Sequence, residues 1–198
     1  GSVIGGSADE AGMVSFGAGK CVSIGGSIEG GSSLNTGRVV GSSAKSLKVT
    51  GSLIGSTGSD SGTVEMGVLG KVTIGGGIDG GTAVEAGSIH ATSIASLTVR
   101  LDVTGGTEQA AGWIGIEETL GSVNIGGSLL GGTSELTGAI TAGLDIGSIK
   151  IGKDVVGGHA PDNADIDLNG PISSKGSIGP VSIGGDLRAG TVGLNASN

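Results

Sequence analysis

A short apolar phrase returns every 25 positions along this chain, and that period leaves few folds open. VSIGGSIEGG at 22–31 recurs as KVTIGGGIDGG at 71–81, SVNIGGSLLGG at 122–132 and PVSIGGDLRAG at 180–190. Weaker copies are SLKVTGSLIGS at 46–56, SLTVRLDVTGG at 96–106 and SIKIGKDVVGG at 148–158. Marked by Ile24, Val49, Ile74, Val99, Ile125, Ile151 and Ile183, the steps are 25, 25, 25, 26, 26 and 32. A second ladder, Gly12, Gly37, Gly62, Gly87, Gly112, Gly138 and Gly170, runs in phase with it in steps of 25, 25, 25, 25, 26 and 32. A fixed period of this size is the signature of a solenoid.

Each unit reads as two strands joined by turns. Strand A alternates, as in Val22-x-Ile24, Leu47-x-Val49 and Val72-x-Ile74, which turns one face to a core. It continues to Ile28, Leu53, Ile78, Val103, Leu129, Val155 and Leu187. A Gly-rich corner and a polar loop lead to strand B at Val14, Val39, Val64, Ile89, Ile114, Ile140 and Ile172. An anchor at Leu69, Ile94, Leu120, Ile146 or Ile178 precedes the next strand A, with Gly19 and Ala44 in that place in the early coils. The expected fold is an all-β, single-domain parallel β-solenoid over 1–198, of about eight coils of 25–26 residues, interrupted by an insertion loop at 159–169. Right-handed coiling follows from the general preference of parallel crossovers.

Composition removes the alternatives. Glycine supplies 46 of 198 residues, yet there is no Gly-X-Y register and only three prolines, so collagen fails. Positive mean hydropathy sets the chain apart from disordered ones. A hairpin sandwich would not demand so fixed a period. Stacked coils place like side chains about 4.8 Å apart and bury some six aliphatics per coil, each worth roughly 1.5–3 kcal/mol. That offsets a glycine cost of about 0.5–1 kcal/mol per residue relative to alanine.

Coils of this length, with Gly corners and aliphatic columns, resemble right-handed parallel β-helix proteins. The wording IGGSLLGG followed by TGAI also resembles the Gly-rich strand repeats of large bacterial secreted or surface proteins. The resemblance spans essentially the whole chain and implies an extracellular or cell-surface location. It implies no particular activity, because sites are grafted onto such folds one at a time.

Charge narrows the partners. Eighteen acids against ten bases give −8, which offers no footprint for nucleic acid or an anionic membrane. No apolar run approaches the length of a membrane span. Cys21, the only cysteine, cannot form an internal disulfide. The chain opens and closes mid-repeat, for Gly1-Ser2-Val3-Ile4-Gly5 matches Gly51-Ser52-Leu53-Ile54-Gly55. Uncapped solenoid ends expose sheet edges, so the expected partner is a further coil or a second copy, end to end.

No catalytic, cofactor-binding or metal site is assigned. Two acidic groups are the candidates for Ca²⁺, a cation that takes clustered oxygens. Asp162, Asp165 and Asp167 lie in the insertion, where turn-forming side chains on a solvated loop explain them equally well. Glu10, Asn35, Asp60 and Glu85 share one loop column and should stack, either as a cation-binding edge or as a wet rim screened by solvent. Lys153 and Leu101 interrupt a column otherwise held by Gly26, Gly51, Gly76, Gly127 and Gly185, which suggests a bend there. His90, Trp113 and Cys21 are expected to face outward, and His159 to sit in the insertion. Arg100 and Asp102 form the one exposed strand pair of opposite charge, adequately explained as a surface ion pair.

The leading functional expectation is a non-enzymatic structural module, a rigid rod, spacer or filament-forming segment. Adhesion or ligand binding through the loops is the alternative. A polysaccharide-active β-helix enzyme ranks lower, because the outward strand residues are mostly Ser, Gly, Thr and Lys. Ice binding ranks low too, because Thr does not recur in the outward pairs.

Overall fold

The computed structural model of the chain describes residues 1–159 and 171–190, and among these every regular element is a β-strand. One sheet carries eight very short strands, β1 (Val3–Ile4), β3 (Ile28–Glu29), β5 (Leu53–Ile54), β7 (Ile78–Asp79), β9 (Val103–Thr104), β12 (Leu129–Leu130), β15 (Val155–Val156) and β18 (Leu187–Arg188). The other holds the long strands β2 (Met13–Ile24), β4 (Arg38–Val49), β6 (Val64–Ile74) and β8 (Ile89–Val99). It continues as paired shorter strands: β10 (Ile114–Ile116) with β11 (Leu120–Ile125), β13 (Ile140–Ala142) with β14 (Ile146–Ile151), and β16 (Ile172–Ser174) with β17 (Val181–Ile183).

Every pairing is parallel, and the register is that of the sequence repeat. Ile24 pairs with Val49, Val49 with Ile74, Ile74 with Val99, and so on through Ile125 and Ile151 to Ile183. The anchor column runs Gly19, Ala44, Leu69, Ile94, Leu120, Ile146, with a bridge to Ile178. The chain is thus a parallel β-solenoid of about six turns, fewer than the eight expected. The outermost rungs are partial coils, and the coil containing 160–170 is described only in part. Val39, Val49, Val64, Ile74, Ile89, Val99, Ile114 and Ile125 are fully buried, stacked into continuous aliphatic columns. Each coil buries too little alone, so stability resides in the contact between neighbours.

One local feature departs from the expected outline, and another gives an expected bend its physical cause. In the first four coils strand B, the anchor and strand A run on as one strand, 12 residues long in β2 and β4 and 11 in β6 and β8. The later coils break at the anchor, for a countable reason. From the strand B residue to the anchor is five positions in Val64–Leu69 and Ile89–Ile94, but six in Ile114–Leu120, Ile140–Ile146 and Ile172–Ile178. The residue that lengthens the period from 25 to 26 sits here, and an unmatched residue bends a strand out of its ladder.

The second feature is the bend expected at the Gly26 column, where strand A ends and a corner leads to the short-strand sheet. At this corner a side-chain oxygen from one coil accepts a backbone N–H of the next. Ser2 Oγ accepts from Ser27 at 3.1 Å, Ser27 Oγ from Ser52 at 3.2 Å, and Ser52 Oγ from Gly77 at 3.2 Å. Asp102 Oδ1 accepts from Ser128 at 2.7 Å and Asp154 Oδ1 from Asp186 at 2.8 Å. The residue just before each donor is Gly26, Gly51, Gly76, Gly127 or Gly185, and a Cβ there would collide with the capping oxygen. Leu101 is admitted to this column where the equivalent residue one coil below is Gly77, which has no side chain to cap with. Leu101 and Lys153 are both exposed, so neither carries a polar or bulky group into the core.

Candidate functional site

The break in the long strand opens a groove on the outward face. Glu117, Gly143 and Lys175 stand at the kink in three successive coils, and with His90, Trp113, Ile116, Leu136, Thr141, Ser173 and Ser174 they line a groove there. Outward-facing residues one coil apart are register neighbours: His90 pairs with Gly115, Gly115 with Thr141, and Thr141 with Ser173. Gly115 leaves this column without a side chain, and the Trp113 indole lies in the space, so that a Cβ at 115 would strike the ring. His90 stacks against the indole, centroids 5.6 Å apart and planes inclined by 27°. From the opposite side Trp113 Nε1 donates to Thr141 Oγ1 at 2.9 Å. The tryptophan is therefore half-buried and fixed in one orientation, not simply turned to solvent as the sequence suggested.

Charge accumulates beside it. His90 Nε2 stands 4.0 Å from Glu117 Oε1, and Thr92 Oγ1 donates to Glu117 Oε2 at 3.1 Å. Three coils before Trp113, Arg38 makes the same crossing, reaching over its neighbour to pair with Glu65 in the next coil while also donating to Asn35 Oδ1. The outward face thus reads Arg38, Glu65, His90, Trp113 and Glu117 along the axis.

The acidic column is stacked as the repeat requires: the backbone N–H of Glu10 donates to Leu34, of Asn35 to Ser59, of Asp60 to Val84 and of Glu85 to Gln109. Its backbone is left-handed throughout, with φ between 53° and 60° at these four residues, and the same conformation continues at Ala110 and Leu136. Asn and Asp tolerate that region best among residues with a Cβ, which explains Asn35 and Asp60 without any ligand. Burial, and next the carboxylate of Asp60, push the Glu85 carboxyl above the ordinary glutamate value, against an opposing pull from His90. Among the described residues no group of three or more His, Cys, Asp and Glu side chains is placed to hold a metal ion. Asp162, Asp165 and Asp167 lie outside the described residues.

The remaining outliers of the sequence resolve individually. Cys21 is exposed, opposite Ser46 on the outward side of β2. Asp102 spends its carboxylate on the Ser128 amide, a structural use that replaces the expected surface pairing with Arg100. His159 donates its backbone N–H to Gly132 at 2.7 Å, extending the ladder to the edge of the insertion. No helix among the described residues is long and apolar enough to cross a membrane.

The sequence reading did not bring His90, Trp113, Glu117 and Thr141 together. The available signal was the change of period from 25 to 26 between Val99 and Ile125, next to the only tryptophan. Comparison with protein-family models, with curated proteins and with solved structures finds no match.

Proposed function

We propose that this chain is a non-enzymatic structural module of an extracellular or cell-surface protein, which builds a stiff stack by joining further coils or copies end to end. One observation carries the reading. β2 pairs only with β4 among the described strands, so its 12-residue outer edge is open. Val14 on that strand is 36% exposed, whereas its column mates Val39, Val64, Ile89 and Ile114 are completely covered. An open parallel edge with part of the aliphatic column bare is a template for another strand.

Light scattering and sedimentation across a hundredfold range of protein concentration test the proposal. Mass growing with concentration, and fibres whose axial repeat is about 4.8 Å, are expected. A particle of single-chain mass at every concentration, unchanged when Val14 is replaced by Lys, would overturn end-to-end joining. Adhesion through the side of the stack is the second reading, favoured by the groove at Trp113.

A further inference from the structure

From the geometry at the strand break we infer that the groove beside Trp113 is a binding site for a neutral saccharide, with one indole face as the platform. The proposal concerns the flank of the stack and is independent of what happens at its ends. Three features support it.

The first is the pre-set indole. His90 covers the ring from the preceding coil, and the indole lines the groove together with the short side chains of Thr141 and Ser173, one and two coils beyond. The Nε1 bond to Thr141 at 2.9 Å and the seat provided by Gly115 fix the ring before any ligand arrives, which lowers the ordering cost of binding. An aromatic face held in this way suits a flat, C–H-rich surface, and the buried Ile116 and Ala142 extend the apolar floor.

The second is the rim. Glu117, Ser173, Ser174 and Lys175 place hydroxyls and charges of both signs around that floor. Glu117 is bound only at its edge, by Thr92 and at long range by His90, and its side chain is 58% exposed. A carboxylate accepts from hydroxyl groups and an ammonium donates to them, so an uncharged ligand rich in hydroxyls satisfies both. A cationic ligand drawn to the indole and Glu117 would meet Lys175, and an anionic one drawn to Lys175 would meet Glu117. That sign balance favours an uncharged polyol.

The third is position. The groove occurs where the 26-residue coils kink their long strand, and extra residues in a repeat array map to one face and commonly build its binding surface. An apolar floor with a few convergent polar groups is the usual form of a small-molecule site.

Trp113 is the only tryptophan of the chain, so its intrinsic fluorescence reports on the site directly. The intact chain is titrated with neutral gluco-, galacto-, manno- and N-acetylglucosamine oligosaccharides to about 10 mM, with calorimetry in parallel. At least one series is expected to shift the emission saturably. Glu117→Gln should weaken that binding about tenfold, and Gly115→Ala, which evicts the ring from its seat, should weaken it at least as much. Trp113→Ala, followed by calorimetry, should remove it, while Lys48→Ala on another coil should leave it intact. Circular dichroism establishes that each variant is folded. No saturable response in any series overturns the proposal. So does a saccharide that binds Trp113→Ala or Gly115→Ala as it binds the parent, or a shift produced by choline or acetate and by no sugar.

Discussion

Asp102 occupies the space that a side chain at Gly127 would need: its Oδ1, 2.7 Å from the amide of Ser128, sits where a Cβ at 127 would fall. The two positions are therefore one unit, a cap and the vacancy that admits it. The same unit is built from Ser27 with Gly51 and from Ser52 with Gly76.

Gly127→Ala should cost about 2 kcal/mol, because the cap must leave and a charge-assisted hydrogen bond goes with it. In an Asp102→Gly background the same change should cost less, about 1 kcal/mol, since the carboxylate is gone and only the backbone of residues 101 and 102, 2.7 Å from the new Cβ, must give way. Denaturant midpoints of the four proteins give the coupling. Equal costs in the two backgrounds would show that the cap does not set the glycine.

Ile114→Ala, at a completely buried rung in the middle of the stack, should lower stability by about 2–5 kcal/mol. Val14→Ala on the open edge should cost less than about 1 kcal/mol in dilute solution, because its side chain is already 36% exposed. If both cost the same, the edge is covered in solution and the chain is already associated.

These two predictions rest on parts of the molecule with very different visibility in the sequence. The columns of Ile24 and Val14 were legible because a translation by one coil superposes like on like, so the period alone fixes register, strand direction and core. The cap at Asp102 was not, because an acid next to Arg100 on an alternating strand has the pattern of a surface pair. Only the corner geometry turns it onto the next coil. The groove was invisible for a similar reason: His90, Trp113 and Thr141 come from three coils, and no local motif links them. The merging of strand B, the anchor and strand A into β2 was hidden because the sequence reads the anchor as a step between two strands, whereas in the structure Gly19 pairs with Ala44 and continues the ladder.

Glu85 makes stability fall with pH. Its folded pKa is raised, so the native state binds the proton more tightly than the unfolded chain does. The contribution is fully present below the ordinary glutamate value and is lost as pH rises through the higher folded value. Asp60 and Glu65 face it with like charge, and His90 with an opposing pull. Glu85→Gln should flatten the melting temperature between pH 4 and 7 and raise it at the upper end. An unchanged pH profile would show that Glu85 is not responsible.

Ala110→Gly should stabilise the protein by about 0.5–1 kcal/mol, the reverse of the usual effect. Ala110 is held at φ 56°, where a Cβ is strained, and the relief exceeds the added freedom of the unfolded chain. Thermal unfolding of the single variant suffices, and a lowered midpoint would contradict the strain.

Adding a chelator should leave the melting temperature unchanged, because the acidic column is held by backbone bonds and by Arg38 through Asn35. A drop of several degrees, restored by Ca²⁺, would assign a cation to the chain.

The parallel register has a mechanical corollary. Hydrogen bonds between coils run along the stack, so a pull on its two ends opens them one rung at a time and never loads them all at once. Each rung that yields releases 25 or 26 residues, about 85 Å of extended chain in place of about 4.8 Å of folded height. A stack of this kind lengthens in steps under load and dissipates work at each one, while the coils that have not yet opened keep their shape.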